Sequence, residues 1–405
     1  MDWYYYIALA AIASQLLFLI HTYSNYHFAV KTYKRERSWY GPRTVLIVPC
    51  KGLDSAFQQN ITSFFNQDYE NFLLWFVVGD ETDPAYGELC QLKTRLSQNS
   101  KAQDVQVFVA GHGQTCSQKI HNLLYCYERI SDDIDVLAFA DSDICVRSNW
   151  LSHIVYPLRK TKYGAASGYR WYIPKKNNLA SLALSAMNAK VAQLLGNLHF
   201  NQAWGGSMAI RVDIFRKLRL DEIWPKALSD DLSLSVAVKK AGLKIAFVPA
   251  CLVASYETTT WRKLFEFGRR QFLITRVSAP RTWWFGLGSG LFSILGLWVV
   301  AGLAVYAWVI RDDHLFLFAA VPVVFFVSQL IRAILRQRMA CILLEHEQQS
   351  MKAACAADIL GFWLWSILML VLIISSAFGR TICWRGIRYK LLGPTKIVVE
   401  GPPAR

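Results

Sequence analysis

Val136-Leu-Ala-Phe-Ala-Asp-Ser-Asp143 is the stretch on which the reading of this chain turns. Five small or apolar residues in a row, closed by an acidic turn, have the length and composition of a strand buried on both faces. The same pattern recurs upstream. Thr44–Val48 (TVLIV) leads through Pro49 into a helical stretch at Asp54–Asn66, and Leu73–Val78 (LLWFVV) leads into another at Ala85–Leu96. Val105–Ala110 then precedes a third, Gln118–Ile130. Strands alternating with helices predict a doubly wound α/β sheet, in which ligands bind beyond the carboxyl ends of the strands. The polar residues directly after each run are therefore the ones to weigh.

After LLWFVV comes Gly79-Asp80-Glu81-Thr82-Asp83, and after VLAFA comes Asp141-Ser142-Asp143. A lone D-x-D is often just a solvated turn. At the end of a buried strand, however, two rigidly held carboxylates suit a hard divalent cation, which in turn neutralises a diphosphate. A third acidic site, Ser229-Asp230-Asp231, opens the helical pattern Leu232–Ala241. Its structural reading is a helix N-cap with favourable dipole placement. Its chemical reading is a general base at a helix N-terminus.

The 405 residues carry 44 Lys+Arg against 29 Asp+Glu, a net charge of +15, yet only 18% are charged and 54% are hydrophobic. Soluble domains carry about 25% charge, so part of this chain belongs in a bilayer. With 15 Trp, 23 Gly and 12 Pro it is neither disordered nor collagen-like. Nine scattered cysteines contain no C-x-x-C pair, which excludes a zinc ribbon and a disulfide framework and points to reduced thiols. The histidines have no metal-site spacing.

An apolar run from Trp3 to about His21 is long enough to cross a bilayer and has neither the basic start nor the cleavage site of a signal peptide. It reads as a retained anchor. Lys31, Lys34, Arg35, Arg37 and Arg43 follow it, which places the next segment in the cytoplasm by the positive-inside rule. No further span is expected before Arg281. Candidates then appear at Phe285–Ile310, Leu315 to about Leu335, and Ile359–Phe378, with Trp283-Trp284 at the level of an interfacial aromatic belt. Four spans would leave the C-terminus outside, but its Arg380, Arg385, Arg388, Lys390 and Lys396 belong inside. These two readings conflict. Membrane flanks account for the basic excess, so no nucleic-acid partner is expected.

The order Asp80, Asp141-Ser142-Asp143, Asp230-Asp231, with membrane anchors on both sides, resembles the inverting, nucleotide-sugar-dependent membrane glycosyltransferases of the family-two type. KGLD (51–54), NITSFFNQDY (60–69), GDETDPAY (79–86), HGQTCSQKIHNL (112–123) and WGGSMAIR (204–211) narrow this to a resemblance to the ceramide glucosyltransferase group, including its bacterial hopanoid-associated relatives. The resemblance covers roughly residues 40–280.

It implies a Rossmann-like, GT-A type nucleotide-sugar domain flanked by one amino-terminal and about three carboxy-terminal transmembrane helices. Asp80 would contact the uracil or ribose of a UDP-sugar, and Lys119, in the K-x-x-N unit 119–122, would lie near the nucleotide or diphosphate. Asp141 and Asp143 would hold Mn²⁺ or Mg²⁺. Asp231 would be the general base, with Asp230 in support, deprotonating an acceptor hydroxyl that attacks the anomeric carbon in line and inverts it. Gly205 and Gly206 would form an acceptor-side turn or a plain loop, with Trp204 either a core residue or a stacking platform for the sugar ring.

One departure stands out. The family's Q/R-x-x-R-W motif has its nearest register here at Gly268-Arg269-Arg270-Gln271-Phe272, with Gln for Arg and Phe for Trp, inside WRKLFEFGRRQFLITRV (261–277). Arg269, Arg270 and Gln271 are candidates for binding a diphosphate, or lipid headgroups at an interface. Trp384-Arg385-Gly386-Ile387-Arg388-Tyr389 is similar to a tail element of related enzymes, or else an interfacial anchor.

The expected organisation is an anchor (1–30), a cytoplasmic glycosyltransferase domain (31–281) with an interfacial helix near 260–281, a membrane region (282–380) and a basic tail (381–405). The expected activity is transfer of one sugar from a UDP-sugar to a lipid hydroxyl, ceramide-like or hopanoid-like, giving a β-glycolipid. A processive β-polysaccharide synthase is the alternative enzyme, although such enzymes keep the intact motif and need more spans. A polyprenyl-phosphate sugar synthase, a non-catalytic protein on the same scaffold and a transporter are weaker; the carboxylates are all present, and the spans hold almost no ionisable residue along a path.

Overall fold

The structure is a computed structural model that describes residues 3–54 and 56–401. Seven strands form its central sheet: β1 (Thr44–Pro49), β2 (Phe72–Val78), β3 (Asp104–Val109), β4 (Val136–Ala140), β5 (Tyr163–Pro174), β6 (Ser207–Arg211) and β7 (Lys244–Glu257), in the order β3-β2-β1-β4-β6-β5-β7. The first four run parallel, with Val45 opposite Leu73 on one side and Leu137 on the other. Every residue of β4 is buried, as its unbroken apolar run requires. β1 therefore feeds neighbours on both sides, and the point where the winding reverses lies between the carboxyl ends of β1 and β4. That is where a doubly wound sheet leaves a crevice. β6 is antiparallel to both β4 and β5. Its register, Ala140 opposite Ser207, brings the turn before β6 directly beside Asp141, whose N–H donates to the Gly206 carbonyl at 3.2 Å.

Two apolar layers cover the sheet. Phe64, Phe65, Phe76, Trp150 and Leu151 fill one face, and Ile120, Leu123, Phe139, Phe215 and Trp224 the other. Helices start where side chains cap them: Asp83 accepts from Ala85 N–H, Ser117 from Ile120 N–H, and Ser229 from Leu232 N–H.

Among the described residues, three helices are long and apolar enough to cross a bilayer: Tyr4–Tyr33, Pro280–Val309 and Leu315–Leu343. At 1.5 Å per residue each exceeds the roughly 30 Å of hydrocarbon. The expected fourth span is half of a bent pair. The segments Glu345–Leu360 and Phe362–Ser375 meet at 84°. Gly361 stands at the corner, where a Cβ would lie 2.7 Å from the Trp365 indole nitrogen. The 14-residue second limb reaches only about 21 Å.

The tail that follows is a three-stranded sheet, β8 (Thr381–Trp384), β9 (Ile387–Gly393) and β10 (Lys396–Gly401). It packs on the carboxyl-end side of the central sheet. Tyr389 and Leu391 bury against Leu228, Leu273 and Ile274, while Arg385 and Lys51 exchange hydrogen bonds to each other's carbonyls at 3.0 and 3.1 Å. Tail and α/β domain thus share one side, so an even number of crossings separates them. Helices Pro280–Val309 and Leu315–Leu343 supply two candidate crossings, and the bent pair is a third apolar segment of the carboxy-terminal half.

Helix Trp261–Ser278 lies along the bent pair, Leu264 packing with Trp365 and Leu372. Gly268 faces Leu372 so closely that a Cβ would sit 2.7 Å from it.

Candidate active site

Of the acidic residues singled out in the sequence, Asp141, Asp143, Asp230 and Asp231 converge on the crevice beyond β1 and β4, where they line a cavity of about 890 Å³. Asp141 leaves the end of β4, and helix Gln118–Tyr127 presents Lys119 to it. The Lys119 ammonium lies 2.8 Å from Asp141, 3.1 Å from Asp230 and 3.1 Å from the Gly205 carbonyl. Burial alone would lower the Lys119 pKa. The carboxylates of Asp141, Asp230 and Asp231 outweigh burial and hold it above the ordinary lysine range, so it is a permanent cation.

Asp230 and Asp231 open helix Asp230–Lys240 and look in different directions. Asp230 is 3% exposed and faces Lys119. Burial, opposed by Lys119 and reinforced by Asp231 and Asp141, leaves its pKa pushed up to about 6. Asp231 is more open and fully oriented. One oxygen accepts from Gly205 N–H at 3.0 Å; the other accepts from Leu232 N–H at 2.7 Å and from the Ser229 hydroxyl. Gly205 is held between the two aspartates, and a Cβ there would lie 2.5 Å from Asp230 and 2.7 Å from Lys119. A Cβ on Gly206 would lie 2.6 Å from Asp141 and overlap the Trp204 ring. The two glycines are required by close approach.

Arg170, on β5, was not foreseen in the sequence. Its guanidinium bridges Asp141 at 3.2 Å and Asp143 at 3.4 Å, donates to the Tyr172 hydroxyl at 3.0 Å, and lies 4.5 Å over the Trp204 ring. One face of Trp204 is therefore taken by a cation. Burial would raise the Asp141 pKa, but Lys119 and Arg170 hold it below the ordinary range. Only a lone arginine inside the β-branched and aromatic run Arg170–Ile173 signalled this residue.

Asp80 is placed differently. It lies two residues beyond β2, accepts from Thr82 N–H and hydroxyl at 2.8 and 2.7 Å, and faces His112 at 3.4 Å. It does not line the cavity. The basic pair on helix Trp261–Ser278 also divides. Arg269 donates to the Phe378 carbonyl at 2.8 Å, and Arg276 beside it holds the Ala377 and Gly379 carbonyls, so both clamp the turn after the bent pair. Arg270 and Gln271 line the cavity, Arg270 donating to the Cys383 carbonyl at 3.4 Å. Trp384 and Arg385 from the tail line it as well, and Arg385 approaches Asp54 at 3.8 Å.

No group of three or more metal-ligating side chains occurs among the described residues. Mg²⁺ and Mn²⁺ on a nucleotide need only one or two protein carboxylates, with phosphates completing the sphere. Asp141 and Asp143 are such a pair of hard oxygen donors, and the Arg170 guanidinium between them shows that their oxygens converge on positive charge. The donor set fits.

The cavity does not end at the acidic cluster. It continues past Arg270 and Phe267 to Phe18, Phe285, Phe292, Leu370 and Ile373 on the membrane helices, with Gly286 and Gly290 widening the passage.

The model of glycosyl transferase family 21 matches residues 4–397. Among solved structures, the chain is similar to the mannosyltransferase PcManGT from Pyrobaculum calidifontis in complex with GDP-Man and Mn²⁺, at 14% identity and a TM-score of 0.44, over 92% of this chain and 96% of that one. It is also similar to GalNAc-T7 with UDP, GalNAc and Mn²⁺, at 12% identity and a TM-score of 0.38, over 58% of this chain and 51% of that one.

Proposed function

The chain belongs to glycosyl transferase family 21, and from that premise we propose that it moves one sugar from a UDP-sugar to a hydroxyl of a membrane lipid, ceramide-like or hopanoid-like, giving a β-glycolipid. The observation that carries the lipid reading is the continuity of one cavity from Asp231 to aromatic and aliphatic side chains on the membrane helices. A water-soluble acceptor has no use for that passage. A lipid whose hydroxyl must reach a base at the membrane surface requires it.

In this reading Asp231 takes the proton of the attacking hydroxyl. Its hydrogen bonds from Gly205, Leu232 and Ser229 fix which oxygen lone pair meets the acceptor. Attack from the face opposite the nucleotide inverts the anomeric carbon. Lys119 and Arg270 supply positive charge toward the diphosphate, and Asp230 keeps Lys119 in place. Asp141 and Asp143 would hold Mn²⁺ or Mg²⁺, which when bound neutralises the diphosphate and improves the leaving group. Asp80 sits on the same carboxyl edge, just beyond the strand beside β1, and is a candidate contact to the nucleoside. Arg269 acts on the tail turn and not on the donor. The basic residues after the first span support a cytoplasmic location for this side.

The test is to supply membranes containing the protein with radiolabelled UDP-sugars and to partition the label between organic phase, polymer precipitate and water. Cation-dependent label in the organic phase is the expected result. Label in the precipitate would replace this reading with a polysaccharide synthase, and binding of UDP without turnover would replace it with a non-catalytic role.

A further inference from the structure

The membrane end of the cavity has one wall of an unexpected kind. Opposite the apolar side chains of Pro280–Val309 and Phe362–Ser375, the helices Trp3–Tyr33, Leu179–Ala192 and Leu315–Leu343 present hydrogen-bond donors: Gln15, Lys190, Gln329, Arg332 and Arg336 all line it. Their partners are unequal. Arg336 is spent, since its guanidinium holds the Asp358 carboxylate at 2.5 and 2.6 Å and the two side chains are 2% and 0% exposed. Arg332 donates at 3.0 Å to the Thr22 hydroxyl, and the Lys190 amine donates at 2.7 Å to the Ser366 hydroxyl. Neither has a carboxylate partner among the described residues. Both keep some accessible surface while lining the cavity.

Gln15 and Gln329, 1% and 6% exposed, have amide nitrogens with no hydrogen-bond partner at all. Arg332 and Arg336 against the single carboxylate of Asp358 leave one positive charge in excess, with the Lys190 amine as a further donor, beside two orphaned N–H donors. Burying charge without compensation costs several kcal/mol per ion, and an unmet buried donor costs about 1–3 kcal/mol. A pocket made of donors with surplus positive charge is complementary to anionic oxygens.

We infer that this chamber binds the anionic oxygens of a membrane lipid, a phosphate diester or carboxylate, between Arg332, Lys190 and the amides of Gln15 and Gln329. Arg332 lies inside the apolar helix Leu315–Leu343, 11 residues before Leu343, whose carbonyl accepts from Arg147 of the α/β domain at 2.6 Å. The apolar wall opposite takes the chains. The site stands apart from the lipid-acceptor reading, because it requires only that an anionic lipid be resident; the anion belongs either to the acceptor or to a second, structural lipid.

The test uses full-length protein in neutral detergent, given phosphatidylglycerol, phosphatidylcholine or UDP, and read by native mass spectrometry and thermal unfolding. One phosphatidylglycerol retained per chain with a raised Tm, and phosphatidylcholine retained at least tenfold less, is the expected result. Arg332→Met with Lys190→Met should lose that retention, whereas Lys190→Arg, which preserves a donor, should keep it. Gln329→Leu, which removes one donor and fills the same space, should weaken it several-fold if the double variant does not fold. Equal retention of both lipids, retention unchanged in Gln329→Leu and in a folded double variant, or displacement of the lipid by UDP would each overturn the inference. Adding UDP-sugar separates the sources: a retained phosphatidylglycerol that leaves carrying the sugar is the acceptor, and one that stays unmodified while another lipid is glycosylated is the structural lipid.

Discussion

Replacing Lys119 with Met removes the cation that Asp141 and Asp230 share at 2.8 and 3.1 Å. The effect is pH-dependent, and its sign follows from Asp230. That carboxyl is 3% exposed and its pKa stands at about 6, above the ordinary 3.8. Between those values the folded state holds a proton that the unfolded state has lost, so stability falls as pH rises through about 4 to 6. The whole fall is about 3 kcal/mol. Lys119 stops it near 6, because Lys119 opposes the burial that raises Asp230. Without Lys119 the pKa climbs further and the fall continues into neutral pH. Titration of Lys119 itself, above 10.5, lies outside this window.

The variant should therefore lose least at about pH 5, where Asp230 is largely protonated and only the Lys119–Asp141 pair is missing. By about pH 8 it should be about 3 kcal/mol worse, the scale for breaking a buried pair. At about 2 °C or more per kcal/mol, the gap in Tm opens to roughly 6 °C or more, measurable by tryptophan fluorescence in detergent. Lys119→Met combined with Asp230→Asn should flatten the profile. Unfolding curves for wild type and Lys119→Met that stay parallel from pH 5 to about pH 8 would refute the assignment of Asp230 as the titrating partner.

Two further outcomes follow from the same geometry. Gly206→Ala drives a Cβ to 2.6 Å from Asp141 and into the Trp204 ring; overpacking of this kind costs about 1–3 kcal/mol, and donor affinity measured by calorimetry should drop at least tenfold. Arg170→Met leaves Asp141 and Asp143 without their bridging cation; the variant should unfold at lower temperature than wild type without added metal and gain more than wild type from Mn²⁺ or Mg²⁺, in a melt with and without the ion.

Much of the parallel half of the sheet was legible, because β1, β2 and β4 are continuous apolar runs that end in punctuation: Pro49, Gly79-Asp80 and Asp141. β5 to β7 were not. Tyr163–Pro174 mixes small, aromatic and charged residues, and its Arg170 is held by Asp141 and Asp143 from the turn after β4 and by Tyr172 two residues on. The Asp141 and Asp230-Asp231 sites were readable from strand-end and N-cap positions. What divides the two aspartates is not local: Gly205, 26 residues upstream of Asp231, orients one, and Lys119 neutralises the other. Likewise hydropathy cannot distinguish a crossing helix from a re-entrant one. The bend at Gly361 and the docking of the tail on Lys51 depend on tertiary contacts that hydropathy does not carry. The pair Arg269-Arg270 looked equivalent on paper; a helix turns 100° between them, so one reaches the tail turn and the other the cavity.

The central claim is that Asp231 acts as base on a hydroxyl delivered from the membrane. It is tested most directly by Asp231→Asn in membranes, with transfer of labelled sugar into the organic phase and donor binding measured on the same preparation. Loss of a positioned base costs typically 10²- to 10⁴-fold, so lipid labelling should fall by at least 10²-fold while donor binding stays within a few-fold of wild type. Labelling that persists within about tenfold of wild type, with the protein folded and binding donor, would contradict it.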